Sequence, residues 1–206
     1  MTSIAPVVTL SPRDYDAVLF DLDGVLTKTA SVHAAAWKKL FDGFLEARAA
    51  EIGEAFVAFD IEADYRRYVD GKPRYDGVAS FLQARAIALP PGALDDAPGA
   101  QTVHGLGKLK DRFFMQQLKE HGVEAYEAAI ALIRTLRAQE IRTAVVSSSN
   151  NCAAVLEAAG ISQLFDARVD GREVTRLSLN GKPAPDAFLE AARRLNVEPA
   201  RTRRSW

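Results

Sequence analysis

The sequence predicts an α/β fold, a parallel sheet wrapped by helices, with a helical cap domain inserted into it. Three observations carry this reading. Residues 17–20 (AVLF) and 143–146 (TAVV) are short, continuous apolar runs, the pattern of strands buried on both faces. Each runs into a polar cluster, DLDG after the first and SSSNN after the second. Between them, from about residue 45 to 112, the text is mostly helical.

Taken in order, AVLF is the first strand, ended by the Asp-Leu-Asp-Gly turn. A helix follows, with Thr29 as its expected N-cap and Trp37, Leu40, Phe41 and Phe44 as an apolar stripe. Three further helical stretches are marked by Tyr65/Tyr68/Val69, Val78/Phe81/Leu82 and Leu109/Phe113/Leu118. LPPGALDDAPGA reads as a loop from its Pro, Gly and Asp content. A helix carrying Tyr126, Ile130, Ile133 and Leu136 then leads to TAVV. Asn150 or Asn151 can cap the next helix, which stops at Gly160. Residues 165–169 form a weaker strand, DGRE a turn, and Pro185 opens a last helix. The core is therefore expected over 1–32 and 113–206, and the cap over 33–112.

Composition narrows the class. The chain has 206 residues, 48% apolar and 26% charged, which fits a globular protein and excludes a disordered one. A net charge of −1 gives no pull toward nucleic acid or an anionic membrane. Cys152 is alone, so no intrachain disulfide forms. The first residues lack the basic start and apolar stretch of a signal peptide, and no run is long enough to span a membrane. The expected setting is the cytoplasm, without nucleic-acid or membrane partners.

The chemistry lies at the strand tips, where ligands bind in such sheets. Asp21 and Asp23, two residues apart, point the same way from a strand. Two close carboxylates need a cation or a shared proton, and magnesium with a phosphate ester is one solution. Asp21 would then be the nucleophile and Asp23 the general acid/base. A solvated turn is the plainer alternative for DLDG. The hydroxyls and N–H groups of residues 147–151 can cradle a phosphate, or serve merely as a loop and cap. Lys182, in GKPAPD, is a cation on a proline-held loop, and alone it would be an ordinary surface lysine.

Together and in this order, DLDGVLT, SSS after a buried strand and GKPAPD resemble the haloacid dehalogenase superfamily of phosphoryl-transfer enzymes. The resemblance spans roughly residues 15 to 198. The second acid, Asp23, favours the phosphatase and phosphomutase branch. Thr29, His33 and Trp37, at T-x-x-x-H-x-x-x-W spacing, with DGKPR at 70–74, are similar to the β-phosphoglucomutase subfamily. The resemblance implies an HAD-like Rossmannoid core and a cap that closes over a sugar phosphate. It implies that Arg74 grips a distal phosphate, His33 shields or orients the acid/base carboxylate, and Trp37 and Gly71 line the sugar site. It matches Ser147 to the hydroxyl on the transferring phosphoryl group. Ser149 and Asn150, next to Ser148, match a second phosphate-binding pair, with Asn150 where relatives often carry Lys. Lys182 matches the cation beside the nucleophile, and Lys110 a substrate-contacting base on the last cap helix. Core packing would equally explain His33 and Trp37, and surface exposure Arg74.

Two departures stand out. Lys28 replaces an acid usual before that Thr. After Leu195, where the resemblance implies an apolar strand with an acidic pair, the chain reads VEPARTRRSW. The last core strands are thus expected to be missing, leaving AVLF as an exposed apolar edge open to self-association. The magnesium site, with Asp21 and Asp23 as its remaining ligands, is expected to be incomplete. These expectations describe a truncated or frame-shifted member, marginally stable and weakly active at best.

The expected activity is phosphoryl transfer through an aspartyl phosphate on Asp21, interconverting β-glucose 1-phosphate and glucose 6-phosphate. The alternatives are a sugar-phosphate phosphatase, or an inactive remnant that binds sugar phosphate or a protein partner.

Overall fold

In the computed structural model, which describes residues 11–205, the AVLF run forms strand β1 (Ala17–Phe20), buried at all four positions. The residues expected to lack a signal peptide fall partly on 1–10, outside the described ones. RTAVV forms β2 (Arg142–Val146), and β3 (Ala167–Val169) follows. The fourth strand, β4 (Thr202–Ser205), lies in the TRRS stretch. All pairings are parallel and the order is β3-β2-β1-β4.

That order corrects the expectation of a missing neighbour for β1. Ala17 pairs with Arg142 on one side and with Thr202 on the other, so AVLF is an interior strand and its apolar edge is covered. The sequence hid β4 because it has no apolar run. Strand pairing uses backbone groups, and an edge strand tolerates charged, half-exposed side chains. Arg203 and Arg204 are exposed, and charges at that edge discourage pairing with another chain.

The chain divides into two compact units. One is Lys28–Glu124, and the other joins the segment ending at Thr27 to the one beginning at Ala125. The expected cap, 33–112, lies within the first of these units.

In the α/β unit, helices α4 (Glu127–Ala138), α5 (Cys152–Ala158), α6 (Gly171–Arg176) and α7 (Asp186–Leu195) flank the sheet. Ala187, Phe188, Ala191 and Leu195 of α7 pack on Ala17, Leu19, Ala144, Val146 and Val169. These alternate strand positions share one sheet face. DGRE is not a turn as expected. Asp170 caps α6, its Oδ1 accepting from the N–H groups of Arg172 and Glu173 at 3.1 Å, because an N-cap carboxylate satisfies donors that the helix leaves open.

The helical unit holds α1 (Thr29–Ile52), a π-helical turn (Tyr65–Val69), α2 (Arg74–Ala84) and α3 (Val103–His121). Lys28, not Thr29, stands at the N-cap of α1, without a side-chain cap bond. The core is aromatic. Phe41, fully buried, stacks on Trp37 at 5.3 Å and on Phe59 at 5.2 Å, and tilts against Phe81 at 4.0 Å. Among the described residues, no helix is long and apolar enough to cross a membrane.

Candidate active site

At the carboxyl end of β1, the chain leaves the sheet with Asp21. Its N–H donates to the Ser205 carbonyl of β4 at 3.0 Å. The carboxylate then turns back on its own loop, Oδ1 accepting from the Leu22 N–H at 2.8 Å. The loop closes on itself. The Gly24 N–H donates to the Thr27 carbonyl at 2.9 Å, and the Thr27 N–H to the Leu22 carbonyl at 3.1 Å. Gly24 has φ +78°, a left-handed conformation that glycine adopts without a Cβ clash. Asp23 stands inside this turn, bridged to Thr27.

Lys182 reaches the same place from the loop before α7. Its Nζ donates to Asp21 Oδ1 at 2.7 Å and to the Val146 carbonyl, at the tip of β2, at 3.1 Å. The ammonium also lies 5.2 Å from the centre of the Phe188 ring. The Lys182–Pro183 peptide bond is cis. Thus the structure joins Asp21 and Lys182, two of the residues singled out in the sequence, in one charge-assisted contact.

Beyond β2, Ser147 is buried and its N–H donates to the Val169 carbonyl at 3.0 Å. Ser147 Oγ accepts from the Ser149 N–H at 3.0 Å, and Ser149 Oγ from the Asn151 N–H at 3.1 Å. Each hydroxyl used as an acceptor keeps its own O–H to donate, as a phosphate cradle requires. Ser148 and Asn150 lie in the same loop. A Cβ on Gly171 would come within 2.6 Å of the Ser148 carbonyl oxygen and 2.4 Å of Asn150 Oδ1. Gly171 and the Asp170 cap therefore set the floor under this loop. Sequence reasoning missed both, although Asp-Gly ahead of a glutamate is a helix-start signal.

Cys152, just after the 147–151 loop, is a poor nucleophile. It is fully buried, and burial, with Asp170 adding to it, pushes its thiol far above the ordinary value. The reactive species is the thiolate.

In the helical unit, His33 and Lys110 come together. Lys110 Nζ lies 2.7 Å from His33 Nδ1 and sits over the rings of Trp37 and Phe114, at 5.1 and 4.9 Å from their centres. His33 stacks on Phe114 at 4.3 Å. An ammonium only donates, so His33 Nδ1 is the acceptor in this contact. Trp37 is 3% exposed and belongs to the aromatic core. Gly71 is exposed with φ +67°. Arg74 pairs with Asp111, Nη2 to Oδ1, at 2.9 Å. The sequence reading missed Asp111, and the neighbouring Lys110 was the only pointer to it.

Magnesium is the metal implied for this arrangement. Among the described residues, no group of three His, Cys, Asp or Glu side chains stands ready to hold a metal. Asp21 and Asp23 do offer the hard oxygen donors that magnesium takes, and it commonly binds through one or two carboxylates with water and substrate phosphate completing the shell. The Leu22 N–H and Lys182 Nζ both donate to Oδ1 of Asp21, so Oδ2 is the oxygen suited to a metal.

Comparison with known proteins gives the family. The family model described as haloacid dehalogenase-like hydrolase matches residues 15–202. A β-phosphoglucomutase of Mycobacterium bovis is 47% identical over 188 residues, covering 91% of this chain and 72% of that protein. A β-phosphoglucomutase of Bacillus subtilis is 30% identical over 185 residues, covering 89% and 71%. Among solved structures, β-phosphoglucomutase from Clostridium difficile superposes with a TM-score of 0.68 at 25% identity, covering 91% of this chain and 74% of that one.

Proposed function

The chain belongs to the haloacid dehalogenase-like hydrolases, and from that premise we propose that it is a β-phosphoglucomutase, interconverting β-glucose 1-phosphate and glucose 6-phosphate. The observation that carries the reading is the Lys182–Asp21 contact at the tip of β1, joined to 47% identity with a β-phosphoglucomutase over most of the chain.

The proposed mechanism follows from the side chains. An Asp21 carboxylate oxygen attacks phosphorus, and the bond from phosphorus to the sugar oxygen breaks. Asp23 gives its proton to that departing oxygen. The aspartyl phosphate then passes its phosphoryl group to a free hydroxyl of a sugar monophosphate, whose proton Asp23 takes, so that a bisphosphate forms and both carboxylates end as they began. Lys182 balances charge as the anionic phosphate meets the anionic nucleophile. Ser147, Ser149 and Asn150, with Ser148, hold phosphate oxygens. Arg74 anchors the second phosphate, Lys110 and His33 act as a pair, and Gly71 borders the sugar, while Trp37, buried in the aromatic core rather than lining the sugar site as expected, backs Lys110. Magnesium, held by the carboxylate of Asp21 and by Asp23, would supply further neutralisation. The partner is a small sugar phosphate, and the setting is the cytoplasm, which suits a chain whose lone thiol is buried.

Phosphorus NMR of the purified chain with β-glucose 1-phosphate, magnesium and a catalytic amount of glucose 1,6-bisphosphate tests this. Glucose 6-phosphate is expected, and Asp21→Asn is expected to abolish it. Inorganic phosphate and free glucose as the products would make the chain a sugar-phosphate phosphatase instead. Turnover by Asp21→Asn at the original rate would remove Asp21 as nucleophile.

A further inference from the structure

The helical unit carries two cations of the substrate-binding set, and both are already engaged within it. Lys110 is buried against His33, Trp37 and Phe114. Arg74 is held by an anion, Asp111 Oδ1, 2.9 Å from its Nη2, with side chains 18% and 31% exposed. The pair is fixed by the packing of α2 on α3. One turn before Asp111, a Cβ on Gly107 would come within 2.6 Å of the Tyr75 ring and 3.5 Å of Arg74 Cδ. Only glycine lets the first turn of α2 lie this close to α3, and that approach brings the guanidinium onto Asp111.

We propose that Asp111 is a specificity-determining residue that tempers the grip of Arg74 on phosphate. The inference rests on Arg74 being the second-phosphate anchor of the proposed function. A guanidinium has five N–H donors, so carboxylate and phosphate can share it geometrically. It has one positive charge, however, and a carboxylate at 2.9 Å cancels most of the field that an arriving phosphate feels. The phosphate must displace Asp111 or lie beside a second anion, and that penalty grows with ligand charge. In a mutase, the same phosphate must later be released so that the bisphosphate can turn round. A tempered anchor suits that cycle better than a bare arginine.

Calorimetric titration of the full chain with glucose 6-phosphate, at low salt, tests the proposal. Asp111→Asn keeps the shape and removes the charge, and is expected to lower Kd about fivefold, the upper range for a partly exposed ion pair. Asp76→Asn, the same charge change on the exposed side of the first turn of α2, is expected to leave Kd within twofold. In an Arg74→Ala background, Asp111→Asn is expected to give no gain. A Kd unchanged or raised by Asp111→Asn, while Arg74→Ala weakens binding, overturns the inference and leaves the proposed function standing. If Arg74→Ala has no effect on Kd, the anchor itself is wrong and the inference falls with it.

Discussion

The Lys182 ammonium lies 2.7 Å from Asp21 Oδ1, across 161 residues of sequence, with the two side chains 19% and 27% exposed. A loop ahead of α7 thus brings an ammonium group to the tip of an interior strand. Lys182→Met removes that charge but keeps most of the apolar stem on Phe188. It is expected to lower kcat/KM by about 10²- to 10³-fold, as the loss of one preorganised charge-stabilising group typically does, with the circular dichroism spectrum unchanged. Steady-state kinetics on β-glucose 1-phosphate checks this.

Gly171→Ala is expected to disturb the 147–151 loop, the proposed phosphate cradle, from below. The added methyl would meet the Ser148 carbonyl oxygen and Asn150 Oδ1 well inside van der Waals contact, so the 147–151 loop must shift. Overpacking of this kind costs about 1–3 kcal/mol. Urea unfolding should show that loss, and KM for sugar phosphate should rise along with it.

Phe41→Ala is expected to destabilise the helical unit by about 3–5 kcal/mol, the usual cost of emptying a buried phenylalanine site. Phe41 touches three other aromatic rings, and truncation strands all three. Denaturant midpoints with an unchanged m-value would measure it.

Acid is expected to loosen the contact between α6 and α7. Glu173 is held at about 2 by Arg176 first and then Arg194, and Glu190 at about 2 by Arg193 and then Arg194. Both lie below the ordinary value of 4.5. Folding therefore favours the ionised forms, so their contribution is present above pH 4.5 and is lost as pH falls toward 2. Arg194 bridges both acids. Arg194→Ala should flatten the stability profile between pH 5 and about 2.5, read from urea midpoints at stepped pH.

What the sequence revealed follows a physical divide. β1 and β2 were legible because strands buried on both faces are written in side chains, as AVLF and TAVV are. β4 was not, because TRRS joins the sheet through backbone groups alone, and an edge needs no apolar signal. The DGRE helix was read as a turn because a six-residue helix has no room for periodicity, and its Asp170 cap was the only local mark. Asp21, Ser147 and Lys182 were legible because each follows or precedes a strongly patterned element. Asp111 was not, because nothing in its neighbourhood says that Arg74, far back in the chain, will face it. Trp37 was legible as a position, and its burial places it in the aromatic core.

The placement of β1 between β2 and β4 has a consequence for assembly in time. Ala17 leaves the ribosome long before Arg142 and Thr202, the residues it pairs with. The strand that leads into Asp21 thus waits, apolar and unpaired, while the helical unit is synthesised. Folds that depend on such distant pairings gain structure slowly, and their exposed strands are open to wrong partners in the interval. The Asp21 N–H to Ser205 carbonyl bond makes the loop after β1 wait for β4 as well. Chaperone demand during synthesis should therefore centre on residues 17–20.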